Sequence, residues 1–240
     1  MFKKVFRSKL RTNEEPYEGK KKLEQVKRFG SFDEWCNFKE ENQFIKTPDY
    51  IDSLIEYIRL HGFECPFSKE HVAPDKIRIG APNYREGLVY KGLNSRLRAV
   101  LSEFQRSIAC RNPVDLRIYS PEAVTEFALL LRGRYARFVG SEYSDNAEVL
   151  KDLFPIRIEN LLDLTFPDAI FDAVLINDVF EHVADIDCCL RELARVTKSR
   201  GRLITTFPFN LGGEESIIKA RLNESVIQYL SDPEYHGNPV

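Results

Sequence analysis

The chain has 240 residues, but no apolar run in it approaches the roughly 18 residues that a bilayer requires, so no transmembrane segment is expected. The N-terminus, MFKKVFRSKL, is basic and lacks the apolar h-region of a secretory signal. Cysteine is scarce and odd in number: Cys36, Cys65, Cys110, Cys188 and Cys189. None of them stands at zinc-ligand spacing, and CPFS at 65–68 is only the first half of a C-x-x-C. Reduced thiols in a cytoplasmic protein are expected, with no metal site. Internal repeats and low-complexity stretches are absent as well. The net charge of −2 is uneven, because residues 1–30 carry ten Lys/Arg and four Asp/Glu, +6, leaving −8 for the remainder. A basic arm can touch nucleic acid or acidic lipid, or be a solvated, partly disordered leader. No glycine- or aromatic-interleaved basic motif accompanies it, so a nucleic-acid partner is not expected.

A hydrophobic fraction of 43% suffices for a core, and the pattern divides the chain into a leader (1–30), a helical and lid region (31–112) and an α/β domain (113–240). Thr47 caps a helix that Pro48 opens and Gly62 ends, with Ile51, Leu54, Ile55 and Ile58 on one face. Asn94 caps a second helix that buries Leu97, Val100, Leu101 and Phe104. Residues 64–91 between them are rich in turn formers.

From Val114 strands and helices alternate. VDLRIYS, RFVGSEY, IRIENL, FDAVLIND and RLITTFPF read as strands. SPEAVTEFALLLRGR reads as a helix capped by Ser120, with Val124, Phe127, Ala128 and Leu131 inward. SDNAEVLKDLF and DIDCCLRELARVTK are further helices, the latter burying Ile186, Cys189, Leu190 and Leu193. This rhythm specifies parallel strands joined by right-handed crossovers, a doubly wound Rossmann-like sheet. Ligands of such sheets bind beyond the carboxyl ends of the strands. The run LINDVFEHV therefore places Asn177 and Asp178 where the fourth strand emerges into a crevice.

The stretch TFPDAIFDAVLINDVFEHVADIDCCLRELARVTKSRGRLITTFPF resembles class I S-adenosylmethionine-dependent methyltransferases, specifically a type 11-like subgroup. The likeness is best over 137–209. It lies in the FPD loop before FD, in D-V-x-E-H-V, in L-R-E-x-x-R-V with its basic turn, and in the T-x-P strand end. The resemblance implies a sheet of strand order 3-2-1-4-5, S-adenosylmethionine as cofactor, and methyl transfer to a small-molecule, sugar-type or glycan acceptor.

It also implies site residues. Glu142, ending strand two beside Tyr143, can accept both ribose hydroxyls, or can simply be a capping or solvated carboxylate. Asn160, with Leu161, would meet the adenine, or is a turn asparagine; the family more often has aspartate there. The family's acidic residue and G-x-G-x-G are missing from RIYSPEAVT, so close positive-φ approach to the methionine end is not available in the same form. Either Tyr119, Ser120 and Glu122 hold that end, with Glu122 on the α-ammonium, or cofactor binding has been lost and the fold is an interaction module. Asn177 and Asp178 would face the sulfonium. His182 is a candidate general base for an acceptor hydroxyl, or a turn residue. Tyr84, Arg85, Asn94 and Arg96 in the lid, and Tyr235 and His236 near the end, are candidates for the acceptor or the cofactor carboxylate.

After Phe209 only 31 residues remain. EESIIKARL and ESVIQYLSD read as helical, so the antiparallel hairpin that completes the family's sheet is expected to be missing and the domain to be truncated.

Overall fold

The computed structural model describes residues 29–80, 83–109, 111–208, 217–223 and 226–232. Residues 1–28 of the basic leader, Tyr235 and His236 lie outside the described residues. Two compact units are present. One holds the described residues up to Phe63 together with His71–Asp75, and the other holds Glu64–Glu70 and Lys76 onward. The first contains α1 (Phe32–Glu41) and α2 (Pro48–His61). Thr47 caps α2 by accepting from the Tyr50 amide, and Gly62 ends it at φ +73°. A Cβ at Gly62 would lie 1.9 Å from the Val72 carbonyl oxygen, so only glycine fits there. Ile55 and Ile58 are buried, whereas Leu54, expected inside, is exposed.

In the second unit, a short antiparallel ribbon of Arg78–Ile79 with Leu88–Val89 flanks a helical turn, Tyr84–Gly87. Helix α3 (Ser95–Ser107) follows, capped by Asn94. It buries Val100, Leu101 and Phe104, together with Arg98. The sheet consists of β1 (Arg117–Ser120), β2 (Arg137–Glu142), β3 (Arg157–Ile158), β4 (Phe171–Asn177) and β5 (Thr197–Thr206). Its order is β3-β2-β1-β4-β5 and every pairing is parallel, as the expected doubly wound topology requires. Crossovers contain α4 (Glu126–Arg134), α5 (Ala147–Asp152) and α6 (Ile186–Val196).

Strand β4 is buried on both faces from Phe171 to Ile176, which is why Ala173 to Ile176 is continuously apolar; the one charged residue of the buried run is Asp172. On one face Phe171, Val174 and Ile176 pack with Cys189, Leu193 and Val196 of α6 and with the loop residues Leu161, Leu164 and Phe166. Tyr119, Phe166 and Phe171 form an aromatic trio with centroids 4.9–5.2 Å apart. Ile186 and Leu190, expected inward, are exposed; the buried face of α6 runs instead through Cys189, Leu193 and Val196.

Two expectations need correction. Ser120 does not cap a helix: it is the last residue of β1, and α4 starts at Glu126 with Thr125 as its cap. Pro121 therefore opens a loop. The tail is not helical where it is described. Ala220–Asn223 (β6) and Val226–Tyr229 (β7) form an antiparallel hairpin, in register Ala220↔Tyr229 to Asn223↔Val226. Its β-branched residues favour extended backbone. It is a separate two-stranded sheet, and β5 remains an edge of the five-stranded one among the described residues.

Candidate active site

The carboxyl ends of β1, β2 and β4 bring the acidic and amide candidates together. After β1 the chain turns back over β2 rather than entering a helix. The Ala123 and Val124 amides both donate to Glu142 Oε1, at 2.7 and 3.2 Å. Glu142 is nearly buried, and its Oε2 has no hydrogen-bond partner among the described residues. One oxygen of this carboxylate thus anchors the loop and the other is left for a donor. Tyr143, next along, is 58% exposed.

The loop carries Glu122 to the end of β4. Its Oε2 accepts from the Thr125 hydroxyl at 2.9 Å, and its Oε1 from Asn177 Nδ2 at 2.7 Å. Burial lifts the Glu122 pKa above its ordinary value, and the Glu142 charge adds to this; the Asn177 and Thr125 hydrogen bonds and the Arg96 charge oppose it. Asn177 Oδ1 is buried and has no hydrogen-bond partner among the described residues. A buried acceptor without a donor is costly, so this corner lacks one hydrogen-bonding group of the donor kind.

Asp178 follows at φ +49°, a left-handed conformation that aspartate tolerates. Asp178, expected to face a sulfonium, is paired with two arginines. Arg85 Nη2 donates to both Asp178 oxygens at 3.1 and 3.2 Å, and Arg96 Nε lies 3.3 Å from Oδ2. Arg96, a lid candidate, is largely shielded from solvent. It also pairs with Glu86 at 2.9 Å and donates to the Thr206 hydroxyl at 3.2 Å. Asn94 caps α3 through the Leu97 amide and donates to Glu86; the Tyr84 carbonyl accepts from the Ser95 hydroxyl. The segment 84–96 is thereby tied to the ends of β4 and β5. His182 closes a single 3-10 turn, Phe180–His182, with its amide donating to Val179 O; its imidazole is half-exposed, 3.9 Å from a Glu181 oxygen.

Other candidates lie elsewhere. Tyr119 is fully buried and its hydroxyl shares a hydrogen with Ser141 Oγ at 2.9 Å; burial drives its pKa upward. Ser120 is buried and donates to the Leu175 carbonyl at 2.8 Å. Both side chains are committed within the sheet, so neither reaches a ligand. The Asn160 oxygen accepts from the Leu162 amide in an Asx turn, and Leu161 packs in the core.

Sequence reasoning missed four residues that hold the architecture. Asp172 is buried and binds the Arg117 amide, Lys198 and Arg111. Arg195 reaches the Leu164 and Phe166 carbonyls, Asp168 and Glu192, fixing the loop before β4. Gly140 lies under the loop that follows β1. Glu159, buried, accepts from Arg157 and from the Thr165 amide and hydroxyl. Asp172 and Arg195 reach partners distant in sequence, whereas those of Glu159 lie within six residues of it.

The chain matches the family described as "Methyltransferase domain" over residues 124–205. Demethylmenaquinone methyltransferase of Symbiobacterium thermophilum is 41% identical over 58 residues, 24% of this chain and 23% of that protein. Among solved structures, the YcgJ protein of Bacillus subtilis is 23% identical over 45% of this chain and 49% of that one, with a TM-score of 0.35. An S-adenosylmethionine-dependent methyltransferase of Thermotoga maritima is 23% identical over 45% and 50%, with a TM-score of 0.32. The chain therefore spans under a quarter of the curated relative and about half of these structures.

Proposed function

We propose that this chain, whose residues 124–205 match the methyltransferase domain family, is a class I S-adenosylmethionine-dependent methyltransferase that binds its cofactor at the carboxyl ends of β1, β2 and β4 and methylates a hydroxyl of a small or sugar-type acceptor. The observation that carries the reading is the buried, donor-less Asn177 Oδ1 beside Glu122 at the end of β4. A ligand ammonium supplies the donor that this corner lacks. Glu142 Oε2 receives ribose hydroxyls while Oε1 keeps the loop in place, and Tyr143 offers an exposed aromatic face beside it.

Bound S-adenosylmethionine supplies an electrophilic methyl group on a sulfonium. The chain's own residues position and desolvate the reactants, which is the main help an in-line displacement needs. Arg85 and Arg96 neutralise Asp178 and fasten the segment 84–96 over the strand ends, which excludes water. Asp178 thereby acts as a latch. His182, half-exposed at the same edge, takes the proton from the acceptor hydroxyl.

Calorimetry with S-adenosylmethionine tests the reading: a Kd below about 1 mM supports it and weaker binding defeats it. A second reading, a catalytically inactive interaction module, draws on the loop amides that already occupy Glu142 Oε1. Methyl transfer from labelled cofactor to any member of a glycoside and metabolite panel eliminates that reading.

A further inference from the structure

The loop after β1 has no glycine, yet its backbone approaches the neighbouring strand closely. The space comes from the other side. A Cβ built on Gly140, in the middle of β2, would lie 2.6 Å from the Glu122 carbonyl oxygen and 3.0 Å from Ala123 Cα. Both distances are too short for backbone neighbours that cannot swing away. Gly140 pairs with Ser120 in the parallel register, so it sits beside the point where β1 ends and the loop begins. The peptide that rests on it is fixed on every side. The Ala123 amide donates to Glu142, the Ala123 carbonyl accepts from Arg132 at 3.3 Å, and the Glu122 side chain is held by Thr125 and Asn177.

We propose that Gly140 is a positioning residue. By lacking a side chain it lets the Glu122–Ala123 peptide lie on β2, and this sets the Glu122 carboxylate and Asn177 Oδ1 as a two-acceptor receptor for the primary ammonium of the ligand. The close approach that glycine-rich loops obtain from their own residues is obtained here from a glycine in the adjacent strand. Glu142 acts through the same loop, because its two amide contacts press the peptide against Gly140. The inference deepens the cofactor reading and rests on it.

The test is a ligand dissection with the full chain. S-adenosylhomocysteine and 5′-methylthioadenosine share the adenosine and the thioether, but only the former carries the amino-acid end. Both are titrated by calorimetry into wild type, Gly140→Ala and Glu122→Gln. Weakening of S-adenosylhomocysteine in both variants, by roughly 10-fold or more as for a lost charge-assisted contact, is expected, with 5′-methylthioadenosine unchanged. Equal weakening of both ligands in Gly140→Ala makes the glycine merely structural and overturns the proposal. So does undiminished S-adenosylhomocysteine affinity in either variant. If Gly140→Ala does not fold, Glu122→Gln, which removes only a charge, decides by the same two outcomes. Wild type that binds neither ligand instead defeats the cofactor reading itself, and the inference falls with it.

Discussion

Asp172 and Asp178 stand at opposite ends of one strand, β4, and their surroundings differ in kind. At the amino end Asp172 is 2% exposed and accepts from the Arg117 amide and from Lys198, both at 2.9 Å, and from Arg111. Burial pushes its pKa upward, but these donors outweigh burial and hold the carboxyl below its ordinary value. At the carboxyl end the balance reverses. Glu122 is raised rather than lowered, Asn177 Oδ1 has no donor among the described residues, and Asp178 is tied to Arg85 and Arg96 from a segment far away in sequence. The closed end of the sheet completes its polar groups with its own neighbours. The open end leaves acceptors for something else to complete, as expected where α/β sheets bind ligands.

Breaking the closed end should have the largest effect. Asp172→Ala strands an amide and two cations around a buried site, a loss of about 3 kcal/mol. In a domain of this size that is roughly 6–12 °C in Tm, read by thermal and urea unfolding. The folded pKa is lowered, so the stabilisation is present above the ordinary carboxylate pKa and disappears as pH falls through the folded value. The gap between wild type and Asp172→Asn should accordingly narrow in acid. Equal melting temperatures at neutral pH would erase the contrast between the two ends.

Glu142→Ala comes next, and it straddles the comparison. The Ala123 and Val124 amides lose their buried acceptor, which should cost about 2 kcal/mol. Cofactor affinity should also fall, because the loop carrying Glu122 is released. A purely structural Glu142 would lower Tm and leave S-adenosylmethionine affinity alone; a purely ligand-binding one would do the reverse.

What the sequence revealed divides along the same line. The run from Ala173 to Ile176 was legible because burial on both faces demands an unbroken apolar stretch; the buried Asp172 just before it was not. Helix α6 was legible from its apolar spacing, and Asp185 caps it through the Cys188 amide, although Ile186 and Leu190 turned out to face solvent. Strand order followed from the resemblance over 137–209. The loop after β1 was misread because Ser-Pro-Glu is a good helix start in isolation; the Ser120–Leu175 hydrogen bond and the pull of Glu142 on two amides override that local preference. Tyr119 was taken for a ligand contact because its sequence position says nothing about the pleat; its partner Ser141 lies 22 residues on. The role of Gly140 depends on a neighbour from another strand, which no local pattern announces. The tail was read as helical from short apolar spacings that a β-branched hairpin shares.

A smaller effect is expected at the latch. Asp178→Asn removes the charge that faces Arg85 and Arg96. Arg85 is 45% exposed, and Glu86 still pairs with Arg96, so about 1 kcal/mol is expected. The change should shrink in high salt. Hydrogen exchange should show faster opening across 84–96, with β4 unaffected; uniform acceleration would mean that Asp178 supports the sheet rather than the segment above it.

The smallest expected stability change, and the one of opposite sign, is at Glu122. Its folded pKa is raised above the ordinary value, chiefly by burial. Stability from this group is therefore complete below the ordinary carboxylate pKa and is lost as pH rises through the folded value. Glu122→Gln keeps an oxygen for the Asn177 amide and carries no charge to desolvate. It should match wild type in acid and exceed it near pH 8, by on the order of 1 kcal/mol or about 2–4 °C. The same substitution should weaken S-adenosylhomocysteine. A residue whose removal strengthens the fold while weakening the ligand is held against the fold's interest for the ligand's sake, the usual exchange between stability and function. Asp172→Asn should move Tm the other way with no comparable ligand selectivity. If Glu122→Gln instead lowers Tm at neutral pH, its carboxylate is completed by the protein in the manner of Asp172, and the two ends of β4 are alike.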